Sequence, residues 1–244
     1  MKSFRTDVLG VPVDCVDMPQ ALDAVEEMIR GDLPRAVIAV NPEKVVKAQS
    51  DPRLLQQLRE AGLLIPDGIG VVFAVRILED RAIERVPGSE LMPAICERAA
   101  KSGYKLFLFG ASPDVNEKAV QVLQHRYPGI QIAGYQHGYV KDDEMPNLIK
   151  RINESKSDVL FLALGSPKQE LWMDRYLGQL QIKVCQGVGG TFDVIAGRVK
   201  RAPLVFRKIH LEWFYRLISQ PKRLFRQTAL PRFTYQVIRK KIIG

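Results

Sequence analysis

The sequence is poor in the residues that staple small proteins or hold metals. Only three cysteines (Cys15, Cys96, Cys185) and three histidines (His125, His137, His210) occur in 244 residues. An odd, scattered cysteine set excludes a disulfide framework and predicts reduced thiols in a cytoplasmic protein. The histidines form no HExxH or similar ligand spacing, so no metal site is expected. There is no Asp-any-Asp pair to hold a metal on a nucleotide diphosphate, and no Ser-His-Asp or Cys-His signature of a covalent nucleophile. No apolar run approaches the ~20 residues of a membrane span. The opening Met-Lys-Ser-Phe-Arg-Thr-Asp lacks an apolar h-region, so no signal peptide is expected.

What is present is a globular composition with lopsided charge. At 46% hydrophobic and 26% charged, the chain suits one large domain, or a domain with an appendage. Residues 198–244 carry 13 Lys/Arg against one acid, Glu212, a net of +12, while the first 197 residues sum to −3. A nearly neutral body with a strongly basic tail points to a polyanion at the tail: a phosphate-rich membrane surface, nucleic acid or a diphosphate substrate.

Short apolar runs alternate with helix-length amphipathic segments. Strands are expected at Ala36–Val40, Lys105–Phe109, Ile130–Ala133, Val159–Leu164 and Lys183–Cys185. Helices are expected after Asn41-Pro42-Glu43, from Gly110-Ala-Ser-Pro-Asp to about Tyr127, over Asp142–Ser155, and after Gly165-Ser166-Pro167. Continuous apolar strands alternating with helices predict an α/β fold, a mostly parallel sheet with helices on both faces. After Lys200 the strand pattern stops. A helix over Pro203–Ser219 and a second basic helix from Lys222, bent or interrupted at Pro231, are expected to form a separate appendage. The expected division is an α/β core over residues 1–200 and a basic amphipathic appendage over 201–244.

In such sheets ligands sit beyond the carboxyl ends of the strands, near helix N-termini that attract phosphate. Four junctions have that character: Asn41-Pro42-Glu43, Pro66-Asp67-Gly68, Gly110–Asp114 and Gly165–Gln169. Asp67 is either the N-cap of the following helix or a general base. Arg85 precedes a helix starting at Ser89, and either faces solvent or neutralises a leaving phosphate. Gln169 either pairs with sugar hydroxyls or faces solvent, and Lys168 is read as a solvated charge. Gly187-Val-Gly-Gly-Thr-Phe lacks the third glycine of a dinucleotide fingerprint, which argues against a nicotinamide enzyme. Its glycines are read as permitting close approach of a ligand or neighbouring strand. In the tail, Arg216, Arg223 and Arg226 interleave with Trp213, Phe214, Phe225, Phe233 and Tyr235, a pattern that favours a membrane interface. RNA binding fits the charge, but no RNA module accompanies it, so no nucleic acid is expected.

Taken in order, Leu9-Gly-Val-Pro, Asn41-Pro-Glu, Pro66-Asp-Gly-Ile-Gly, Glu84-Arg-Val-Pro-Gly, Phe107-Leu-Phe-Gly, Leu164-Gly-Ser-Pro-Lys-Gln-Glu, Gly187-Val-Gly-Gly-Thr-Phe-Asp, Val199-Lys-Arg-Ala-Pro and Leu211-Glu-Trp resemble the WecG/TagA/CpsF family of bacterial glycosyltransferases. The resemblance implies a Rossmann-like core without cofactor and a C-terminal appendage that docks on the membrane and helps complete the active site. The implied reaction is inverting, metal-independent transfer from a UDP-sugar to polyprenyl-diphosphate-linked N-acetylglucosamine. By motif, Asp67 looks like the catalytic base, Asn41 and Gln169 like sugar-site residues, and Arg85 like a diphosphate contact. Arg216, Arg223 and Arg226 look like the arginines that meet phosphate of substrate or membrane. N-acetylmannosamine or its uronic acid is the favoured sugar, in cell-surface polysaccharide synthesis at the inner membrane face. One departure is Ala39, where the teichoic-acid branch carries threonine; the enterobacterial-antigen branch is closer here. Alternatives are UDP-glucose-dependent transfer in exopolysaccharide synthesis, or a nucleotide-sugar or RNA-binding protein without turnover. The apolar face of the appendage could also serve a second subunit.

Overall fold

The computed structural model describes residues 5–199, Pro203, Phe206 and 228–243. The chain begins with an antiparallel hairpin, β1 (Arg5–Val8) and β2 (Val11–Asp14), which the sequence reading did not anticipate. Its two-residue turn, Leu9-Gly10, has φ of 56° and 88°, so both residues sit in the left-handed region that matches strand twist in tight hairpins.

The rest alternates helix and strand. In chain order come α1 (Met18–Ile29), β3 (Arg35–Val40), α2 (Pro42–Ala48), α3 (Pro52–Glu60), β4 (Leu63–Pro66), α4 (Ile69–Glu79) and α5 (Gly88–Ser102). Then follow β5 (Lys105–Gly110), α6 (Pro113–Arg126), β6 (Gln131–Gln136), α7 (Met145–Glu154), β7 (Val159–Ala163), α8 (Lys168–Tyr176), β8 (Val184–Gly187) and α9 (Thr191–Ile195). Strands β3 to β8 form one sheet in spatial order β4-β3-β8-β7-β5-β6, every pair parallel. The expected α/β architecture is therefore what the chain builds.

Side chains alternate across this sheet into two apolar layers. Ile38, Val40, Leu64, Phe107, Phe109, Leu160 and Leu162 face one layer with residues of α2, α3, α4, α7 and α8. Val37, Leu63, Ile65, Leu106, Leu108, Val159 and Phe161 face the other with α1, α5, α6 and α9. Burial on both faces is why these strands read as unbroken apolar runs. The central strands β3 and β8 are neighbours, yet α2 after β3 joins the first layer and α9 after β8 joins the second. Loops departing to opposite faces open a crevice at the carboxyl edge, where such sheets bind ligands.

The last described element is a helix, Ala229–Ile243. Pro231 falls in its first turn, where a missing N–H costs no intrahelical bond, so it neither bends nor interrupts the described helix. Phe233 and Val237, one turn apart, are buried in the first apolar layer, and the helix packs on α2 and α4. Gln236 and Gln49 exchange amide hydrogen bonds of 2.8 and 3.2 Å, and Lys240 Nζ lies 3.3 Å from Asp7 Oδ1. Arg216, Arg223 and Arg226, together with the expected Pro203–Ser219 helix apart from Pro203 and Phe206, lie outside the described residues.

Candidate active site

Pro66 ends β4, and Asp67 is the first residue beyond it. Val40 pairs with Pro66 in register, so Asn41 and Asp67 leave neighbouring strands together. The Asp67 N–H donates to the carbonyls of Ile65 at 2.9 Å and Val40 at 3.1 Å, which fixes the turn. Gly68, not Asp67, is the N-cap of α4, and no side chain caps that helix. The Asp67 carboxylate turns to another helix: Oδ1 accepts the Gly88 N–H at 3.0 Å. Gly88 is the first residue of α5, so this N–H is one that a helix cannot satisfy internally. Asp67 is thus half-buried at the positive end of α5. The carboxylate has a structural partner, but it is not the one a helix cap would have.

Arg85 arrives by the same route. The Val86 N–H donates to the Pro66 carbonyl at 2.9 Å, laying the segment along the end of β4. Arg85 Nε then donates to the Asp67 backbone carbonyl at 2.8 Å. Carboxylate and guanidinium therefore occupy one loop pair.

The glycines of Pro66-Asp-Gly-Ile-Gly let this loop press against Asn41-Pro42. A Cβ on Gly68 would stand 2.9 Å from Pro42 Cδ and 3.1 Å from Asn41 Cβ, and one on Gly70 would stand 2.7 Å from Pro42 Cγ. A proline ring next to a helix cap cannot yield by rotating. Gly68→Ala is therefore expected to destabilise the protein by about 1–3 kcal/mol, the usual cost of overpacking, read as a lower urea midpoint at unchanged slope. A midpoint equal to the parent's would mean that Asn41 and the Asp67 loop are not in rigid contact.

A second group spans β3, β7 and β8. Asn41 is the N-cap of α2, its Oδ1 accepting the Lys44 N–H at 2.9 Å. Lys44 turns inward, and its Nζ lies 2.7 Å from Glu170 Oε1, both side chains being almost fully buried. Glu170 Oε1 also accepts from Gln169 Nε2 at 3.3 Å, and Gln169 Oε1 accepts the Gly189 N–H at 3.1 Å. A continuous chain of contacts thus runs from Asn41 through Lys44, Glu170 and Gln169 to the glycine loop after β8. Burial pushes the Glu170 carboxyl up, but the charge and hydrogen bond of Lys44 outweigh it, helped by the nearby Ser166 hydroxyl, and hold it below its ordinary value.

Gln169 is 6% exposed, which removes the solvent-facing reading. The close approach expected at Gly187 is to Gln169 itself, since a Cβ there would stand 2.6 Å from Gln169 Nε2. Lys168 is exposed, as anticipated. The structure brings Asn41, Asp67, Arg85 and Gln169 to one edge of the sheet, in two groups that meet where Gly68 touches Asn41. Lys44, Glu170 and Gly88 were not anticipated. The available signal was a pair of opposite charges just inside two proline-marked helix starts, Asn-Pro-Glu-Lys and Ser-Pro-Lys-Gln-Glu. Among the described residues no three His, Cys, Asp or Glu converge on a common point that could hold a metal ion.

A half-buried carboxylate beside an arginine, with helix N-termini around it, can accept a proton and stabilise a phosphate leaving group. Comparison with known proteins identifies the family. The family described as "Glycosyl transferase WecG/TagA/CpsF family" matches residues 6–244. A protein of Staphylococcus aureus (strain MRSA252) named "N-acetylglucosaminyldiphosphoundecaprenol N-acetyl-beta-D-mannosaminyltransferase" is 37% identical over 239 residues, 97% of this chain and 93% of its own. Proteins of the same name from strains MW2 and NCTC 8325 / PS 47 are 36% identical over the same span. With an aspartate and an arginine on one loop pair at the carboxyl edge of a parallel sheet and a match over nearly its whole length, the chain belongs to the WecG/TagA/CpsF family of glycosyltransferases.

Proposed function

We propose that the protein transfers N-acetylmannosamine from UDP to N-acetylglucosamine carried on a polyprenyl diphosphate, with inversion and without a metal. The relatives' name supports the transferred sugar and the lipid-linked acceptor. The observation that carries the mechanism is the placement of Asp67 between the Gly88 N–H and Arg85. The Gly88 N–H orients the carboxylate toward the open edge of the sheet, where a base is needed.

In this reading Asp67 takes the proton of the acceptor hydroxyl as its oxygen attacks the anomeric carbon from the face opposite UDP. The bond to the diphosphate oxygen breaks, and its electrons leave with UDP. Arg85 and one or more of Arg216, Arg223 and Arg226 stabilise that charge, together with the N-termini of α5 and α2. Asn41 and Gln169 border the sugar.

The acceptor is anchored in a bilayer, so the enzyme must work at its surface. No described helix is long and apolar enough to cross a membrane. The C-terminal helix instead exposes Tyr235, Ile238 and Ile242 at a spacing of three and four, beside Arg239 and Lys241. That combination of apolar stripe and bases supports peripheral attachment to an anionic leaflet.

The test is release of UDP from a panel of UDP-sugars with one lipid-linked N-acetylglucosamine acceptor. UDP-N-acetylmannosamine is expected to turn over fastest and only when acceptor is present. Turnover of UDP-glucose alone would give the donor assignment to the exopolysaccharide reading. Binding without turnover of any donor would make the protein a nucleotide-sugar sensor.

A further inference from the structure

Between the N-terminal turns of α2 and α8 and the start of α3 lies a cavity of about 160 Å³, walled by Asn41, Lys44 and Arg53 on one side and Ser166, Glu170 and Asp174 on the other. It is far larger than the ~10–15 Å³ that holds one water and smaller than the ~300 Å³ at which common ligand pockets begin. That space suits one sugar ring rather than a nucleotide. Four acids and three bases line it, so its charge is close to balanced and it does not select for phosphate. A neutral, hydroxylated ligand fits better.

The cavity also contains an unmet demand. Glu170 Oε1 accepts from Lys44 and Gln169, while Oε2 is buried and makes no hydrogen bond of good geometry; the Ser166 hydroxyl, also on the cavity wall, comes near the carboxylate without closing one. A buried carboxylate oxygen without a donor is costly, and native structures satisfy such atoms.

We propose that this cavity is a monosaccharide subsite in which Glu170 Oε2 accepts a hydrogen bond from a hydroxyl or acetamido N–H of the substrate sugar. Lys44 keeps the carboxylate in place. The inference rests on the transferase reading, since Asn41 both lines the cavity and touches Gly68, which sets a ring here next to the Asp67 loop. Donor and acceptor sugars share this chemistry, and kinetics separates them.

The experiment compares the full-length protein with Glu170→Gln and with the double variant Lys44→Met/Glu170→Gln. The double variant leaves no buried lysine unpaired, which protects folding. With UDP-N-acetylmannosamine and lipid-linked N-acetylglucosamine, KM for one substrate is expected to rise about 10- to 100-fold, the worth of a hydrogen bond to a charged group. KM for the other is expected to stay unchanged, which identifies the sugar. Among single-deoxy and de-acetylated analogues of that sugar, one is expected to be rejected by the parent and accepted equally by the variants. Unchanged KM values in a folded double variant would leave Oε2 with a structural water only and overturn the proposal. A fall in kcat without altered discrimination would make the pair a strut and also overturn it. Free N-acetylmannosamine and N-acetylglucosamine, followed by ligand-observed NMR, test the subsite without turnover. Saturation lost in the double variant supports it, and equal or absent saturation in both proteins refutes it even where the transferase reading stands.

Discussion

Asp67→Asn is expected to lower kcat at least about a hundredfold while leaving the fold intact. A positioned general base contributes about 10²–10⁴-fold, and asparagine cannot take the acceptor proton. Asparagine does keep an oxygen where Oδ1 accepts the Gly88 N–H, so the α5 start and the Arg85 contact need not move. The substitution therefore separates the anchoring seen in the structure from the proposed role as base. As anchor of α5, Asp67 is replaceable by asparagine; as base it is not. Stability by urea denaturation should match the parent within a few tenths of a kcal/mol. A variant that keeps most of its rate would reduce Asp67 to its bond with α5.

Replacing Arg216, Arg223 and Arg226 together by glutamine is expected to lower partition onto anionic vesicles roughly a hundredfold. The figure follows from about 1 kcal/mol per basic residue near an anionic surface. Transfer to a bilayer-embedded acceptor should fall at least in proportion, because the same arginines are proposed to meet the diphosphate. Vesicle sedimentation and UDP release, measured in parallel, check both. Removing residues 201–244 outright is a poorer experiment than charge replacement. It would strip Phe233 and Val237 from α2 and α4 and bare the apolar layer beneath them. Unchanged sedimentation of the triple-glutamine variant would shift the membrane contact to Tyr235, Ile238 and Ile242.

Most of the sheet was legible because strands such as β5 and β7 are buried on both faces, so KLFLF and VLFLAL announce themselves without reference to any neighbour. The hairpin was not. Each of its strands has only four residues, and its turn puts Leu9 at φ 56°, which leucine does not advertise. Asn41 and Asp67 could be named because they stand at strand ends where chemistry collects, Arg85 and Gln169 because they stand just before or just inside helix starts, and the role of each came from the family motifs. What those groups touch was less accessible. The partner of Asp67 is 21 residues away, at a helix start that nothing local marks as its own. Lys44 and Glu170 meet across 126 residues, and each reads locally as an ordinary charge near a helix N-terminus. Pairing of that kind is a property of the folded crossing, not of either segment. The final helix read as part of a basic appendage because bases dominate its composition, which left its packing on the core open. Its apolar attachment comes from Phe233 and Val237, one turn apart, with Gln236 and Lys240 adding polar contacts to Gln49 and Asp7.

If one carboxylate takes the proton and arginines the departing diphosphate, the initial rate of UDP release by the unaltered protein in EDTA, with UDP-N-acetylmannosamine and lipid-linked acceptor, is the most direct measure of it. A rate equal to that in Mg²⁺ is predicted. Loss of turnover in EDTA, restored by a divalent ion, would contradict it.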